Sequence, residues 1–173
     1  MNITVHSKTE NGDYTATIDG VDFTIPDDMG NRYRRMLSEW EAEGNKLPEY
    51  IKPSPSKEDV NIERNKRISS GIPFNGKVYD FDQMGKDNIT GAASLAKFAL
   101  FAGAGEGNFR WANPDVDFTW ITQDNSKVAL DAPTMSKLGD VAAGWTTKHI
   151  YAARALKDMN PIPLDYTADE YWP

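Results

Sequence analysis

Two histidines, no cysteine and a run of carboxylates between residues 115 and 131 set the limits of the chemistry open to this 173-residue chain. Without cysteine there are no disulfides, no zinc-thiolate sites and no thiol nucleophile. His149 falls on the apolar stripe of a helical pattern, where a lone histidine reads as a packing residue that bonds locally. His6 stands in a strand-like run far along the chain from any obvious partner. Neither is spaced from an Asp or Glu as a metal ligand would be. Asp115, Asp117, Asp124, Asn125 and Asp131 raise two readings, a calcium site or a glycosidase pair. The spacing does not match the calcium loop, and Asx residues at turns bond their own backbone for ordinary reasons. Gly103, Gly105 and Gly107 follow a helix rather than open one and lack a Lys-Thr partner, so they read as a helix exit, not a phosphate loop. There is no G-x-S-x-G elbow. The expectation is a chain that is not an enzyme and has no metal or cofactor.

Aromatic side chains are the remaining candidates. "NFRWANPDVDFTWITQDNSKVALDAP", residues 108–133, holds two of the five tryptophans. In a strand Phe118 and Trp120 share one face against a following helix, and core is the favoured reading for these and for Phe109 and Trp111, with stacking on a sugar, tested at Trp111, as the alternative. "NPIPLDYTADEYWP", residues 160–173, is too short to form a core and ends acidic and aromatic. Such a tail is either draped over its own domain or docked into a neighbour. The candidate interaction residues are therefore Trp111, Tyr166, Tyr171 and Trp172.

The elements that must position them are legible. Alternation predicts strands near residues 2–7, 13–18 and 21–25, with Asp19-Gly20 as a two-residue turn. Asp27 is the expected N-cap of a helix carrying Met29, Tyr33, Met36, Leu37 and Trp40, ended by Gly44. "YIKPSPSKED", residues 50–59, reads as a linker. At its end Ser56 and Asp59 can cap a short helix, "KEDVNIERNKRIS", closed by Gly71, and Asn75-Gly76 marks a hairpin. A helix follows with Ile89, Ala92, Ala93, Ala96, Ala99 and Leu100 on one face, then a hairpin at "DFTWITQDNSKVALD". The most periodic element is a final helix, roughly 133–159, with Pro133 in its first turn.

The fold class this predicts is α+β. A small N-terminal antiparallel β-hairpin and helix module (1–49) is followed by a Pro/Ser linker (50–59). A second module (60–160) packs short antiparallel hairpins on two longer helices, and a tail (161–173) completes the chain. The net charge of −7 and pI near 4.8 argue against phosphate neutralisation and hence against nucleic acid. No window approaches a membrane span, and the N-terminus lacks a signal pattern, so synthesis in a cytoplasm is expected.

Four stretches carry a resemblance: "ERNKRISSGIPFNGKVYDFD", "NITGAASLAKFAL", "FTWITQDNSKVALDAPTMSKLG" and "KHIYAARALKDM". On these, residues 61–173 resemble a domain of unknown function found in many tailed-phage and prophage genomes, often at the end of tail-fibre or tail-assembly proteins. "RYRRMLSEWEAEGN" is similar, less specifically, to a leader on such proteins. The resemblance implies a non-enzymatic virion tail component, at the distal tail, fibre base or tip, docking on other phage tail proteins as a homo-oligomer, trimer or hexamer. Its alternatives are a cytoplasmic tail-fibre assembly chaperone and a tip protein contacting host-surface glycans. It offers no catalytic residues.

Overall fold

A computed structural model describes residues 2–173, which divide into two compact units, one up to Pro53 and one of Ser54–Pro173. In the first unit, alternating side chains build an antiparallel sheet in the order β1 (Ile3–Lys8), β2 (Tyr14–Ile18), β3 (Val21–Ile25). Asp19 and Gly20 adopt φ of 49° and 86°, the doubly positive turn whose twist suits a right-twisted hairpin. Tyr14, Ala16 and Ile18 are buried on one sheet face, as the period of two requires. Helix α1 (Arg32–Ala42) covers that face with Leu37, its fully buried residue.

The start of α1 corrects the sequence reading. Asn31, not Asp27, is the N-cap, accepting from the backbone N–H groups of Tyr33 and Arg34 at 2.9 and 3.3 Å. The chain first makes a turn in which the Asp28 carboxylate accepts from the Gly30 N–H at 2.8 Å. Asp27 is left to pair with Arg34 at 2.7 Å and Lys8 at 3.2 Å, tying helix to sheet. Arg34 first, then Lys8, hold the Asp27 carboxyl below its ordinary range.

In the second unit, α2 (Lys57–Ser69) begins inside the stretch read as linker, because the Ser56–Asp59 capping box satisfies its first orphan donors. Strands β4 (Ile72–Phe74) and β5 (Lys77–Tyr79) are joined by Asn75-Gly76 with φ of 48° and 73°. Helix α3 (Gln83–Phe101) is capped by Asp82, whose carboxylate accepts from the Gly85 N–H at 2.7 Å. A second hairpin, β6 (Thr119–Ile121) with β7 (Lys127–Ala129), leads into α4 (Ala132–Asp158), with Pro133 in its first turn.

Helices α3 and α4 form the spine. Gly139 of α4 lies so close to Ala93 of α3 that a Cβ there would overlap the alanine methyl. Around them Ile72, Tyr79, Ile89, Ala96, Met135 and Leu138 are fully buried. A second cluster joins Val60 of α2 and Ala153 and Leu156 of α4 to Ile162 and Trp172. Residues 161–173, expected as a separate tail, therefore belong to the packing of this unit: they are draped over their own domain. The fold class is α+β, with three small antiparallel sheets and four α-helices among the described residues.

Candidate docking surface

The four aromatic candidates do not converge. Trp111 and Phe118 pack on the main core, their ring centroids 4.5 Å apart, and the Trp111 indole N–H donates to the Leu130 carbonyl at 2.8 Å. A tryptophan anchored at both ring and N–H is a structural residue rather than an open platform for a sugar.

Trp172 is buried in the second cluster, which removes it as an exposed contact. Its indole N–H donates to the Tyr166 carbonyl at 2.8 Å, and its ring stacks on His149 with centroids 6.3 Å apart. Arg67 of α2 closes the clamp. Its guanidinium lies 5.3 Å from the Trp172 ring centroid and donates to the Thr167 carbonyl at 2.6 Å and the Asp169 carboxylate at 2.9 Å. Arg67 also reaches Glu63 at 2.7 Å, so it is held from both sides. Tyr166 and Tyr171 are half-buried against the same cluster. Burial, then the carboxylates of Asp165 and Glu170, push the Tyr171 phenol up.

The carboxylates read as possible ligands are occupied by backbone work. Asp131 caps α4 by accepting from the Thr134 N–H at 2.9 Å, and its other oxygen accepts from the Gly107 N–H at 2.8 Å, pinning the glycine-rich exit of α3. Burial opposes ionisation of Asp131, but the bonds from Thr134 and Gly107 outweigh it and lower its pKa. Asp124 shapes the β6–β7 turn through Thr122 and Ser126 and pairs with Lys77 at 2.8 Å. Lys77 first, then the hydroxyls of Thr122 and Ser126, drive its carboxyl far below the usual range. Asp117 pairs with Arg110 at 3.0 Å.

His149 is buried, with Nδ1 2.9 Å from the Trp145 carbonyl. His6 does have partners, and pairing across the sheet supplies them. Its Nε2 lies 2.7 Å from the Thr17 hydroxyl, which donates to Asp22 at 2.5 Å. Neighbouring strands bring these residues together, and no spacing along the chain announces it. Among the described residues, no three His, Asp or Glu side chains gather as a metal would require.

The unoccupied surface lies on α3. Its inward face carries Ile89, Ala93 and Ala96, as the apolar spacing predicts, yet its outward face is also apolar. Leu95 is 62% exposed, Phe98 75% and Phe101 98%, spaced three apart so that they follow one side of the helix. Along the edge facing α4 runs an open groove of about 380 Å³, floored by Ala93, Gly139 and Ala142. Lys86, 5.3 Å from the Phe81 ring centroid, and Lys97, paired with Asp140 at 3.0 Å, stand at its rim. The sequence contained the signal: a helix with large apolar residues outside its small-residue stripe is amphipathic on neither side. Burying such side chains yields about 25 cal/mol per Å² removed from water.

The second unit is thus an α+β fold whose C-terminal residues pack on its own helices and whose helix α3 carries an exposed apolar face. Residues 53–171 match the family model described as "Domain of unknown function (DUF4376)", and the chain belongs to that family. No curated protein and no solved structure matches it.

Proposed function

We infer that this protein is a non-enzymatic docking component of a tailed-phage tail, placed at the distal tail, fibre base or tip, and acting within a symmetric assembly. The observation that carries the docking reading is the exposed row Leu95, Phe98 and Phe101 on α3, in the part of the chain that defines the family. Three large apolar side chains left in water are a cost that a partner surface removes. The tail assignment is supported by the resemblance of residues 61–173 to domains at the ends of tail-fibre and tail-assembly proteins.

Peptide counting by mass spectrometry of purified phage particles tests it. The expected outcome is this chain at a fixed few copies per particle. Its absence from particles, with abundance in the infected lysate, would move the assignment to an assembly chaperone. The glycan-binding alternative loses support, because Trp111 is committed to Leu130 and Phe118.

A further inference from the structure

The first unit contains a second unpartnered feature, the outer edge of its sheet, and its backbone pattern selects a partner. The Asp19 N–H donates to the Asn2 carbonyl at 2.9 Å, so odd-numbered residues of β2 bond towards β1. Even-numbered ones, Tyr14, Ala16 and Ile18, therefore bond towards β3, where they face Ile25, Phe23 and Val21. That leaves the N–H and C=O groups of Asp22 and Thr24 pointing outward from β3, with no strand beyond among the described residues.

The two edges of this sheet are not alike. β1 carries a bulge between Val5 and Ser7 and ends in Lys8, both devices that discourage a further strand. β3 pairs with β2 without a bulge, contains no proline or lysine, and exposes Val21.

We propose that β3 pairs with β3 of a second copy of this chain, antiparallel about a twofold axis at Phe23, extending the three-stranded sheet to six strands. In this register Asp22 faces Thr24 of the second copy and Thr24 faces its Asp22, and these are the residues with outward backbone groups. Two hydrogen-bonded pairs form, and all four groups on each edge are satisfied. Val21 and Ile25 meet on the apolar face, and each Asp22 carboxylate finds a threonine hydroxyl across the interface. The neighbouring register centred on Asp22 would set the two carboxylates opposite each other, which like-charge repulsion disfavours. Backbone hydrogen-bond matching to a second copy and the avoidance of like charges thus choose the occupant and its register.

This inference concerns the first unit and is independent of the α3 face, so the two fail separately. Sedimentation velocity of the full chain over roughly a hundredfold range of concentration tests it. The expected result is a reversible rise in mass from 19.3 kDa towards that of a dimer. Thr24→Asp sets carboxylates opposite one another twice and raises the dissociation constant about tenfold. Thr24→Lys sets an ammonium opposite each Asp22 and lowers it by a similar factor. Circular dichroism matching the wild type shows that both variants are folded, Thr24 being exposed. A chain that stays monomeric throughout overturns the proposal. So does association that responds equally to both substitutions, or one abolished by Phe98→Ser and Phe101→Ser instead.

Discussion

The two units solve the same problem with different materials. The first buries one face of a three-stranded sheet under a single eleven-residue helix and leaves the other sheet face to His6, Thr15 and Thr17. The second wraps a spine of two long helices with two hairpins, a third helix and its own C-terminus. Its core is larger and has more than one anchor, so losing one contact leaves others in place. The first unit has little redundancy, because Leu37 is the one α1 residue buried in its core. Small units bury a smaller share of their surface and sit nearer the limit of stability.

Leu37→Ala should be the most damaging change. A cavity under the sheet costs about 3 kcal/mol, and a unit of this size has few to lose. Hydrogen exchange should show β1–β3 amides losing protection while those of α3 and α4 keep theirs. Leu138→Ala, equally buried, should instead lower the unfolding midpoint of the second unit and leave it folded. If both variants unfold both units together, the division between them is not energetic.

Gly139→Val comes next. Its side chain would enter the space of Ala93, and forcing α3 from α4 costs about 1–3 kcal/mol. Urea unfolding of the second unit should record that loss. A neutral result would mean that the helices slide apart without penalty.

Acid separates the units more gently. Asp59, bonded first by the Ser56 backbone N–H and then by its hydroxyl, Asp124 and Asp131 all have lowered pKa values in the second unit. In the first unit Asp27 is shifted this way. A carboxyl that titrates lower when folded leaves the unfolded chain binding more protons near pH 4. Its stabilisation is present above about pH 4 and is lost as pH falls through the folded values. The second unit should therefore lose more of its stability between about pH 4 and pH 2, and Asp124→Asn should flatten that loss. An equal slope in both units would show that these shifts are local and silent.

The smallest effect belongs to the α3 face. Phe98→Ser with Phe101→Ser should change unfolding free energy by less than about 0.5 kcal/mol, since neither side chain is packed. Under the proposed docking role, partner binding should nevertheless fall. Marked destabilisation would mean that the face is part of the fold rather than free for docking.

Most local elements could be read before any coordinates. Asp19-Gly20 and Asn75-Gly76 turn where expected because their positive φ angles suit so few residues. Ser56 caps α2, and α4 keeps Pro133 in its first turn. The errors lie at element ends. Asp27 and Asn31 are both competent caps, and the turn at Asp28 and Gly30 decided between them. Residues 57–59, which read both as linker and as the start of a capped helix, are helix.

The site was far less legible. Trp111, Tyr166, Tyr171 and Trp172 were singled out because aromatics near prolines and acids resemble contact residues, yet Arg67 and His149 draw Trp172 inside. Leu95, Phe98 and Phe101 were passed over because the small-residue stripe on α3 already accounted for its inward face.

By itself the sequence determined where the chain turns, which stretches are helix or strand, and that thiol chemistry is absent, because these depend on residues within a few positions of one another. The tertiary structure decided which aromatics are spent on the core, which face of α3 is left over, and that His6 meets Thr17. Those outcomes join residues as far apart as Arg67 and Asp169, 102 positions along the chain, and only packing in three dimensions compares their energies.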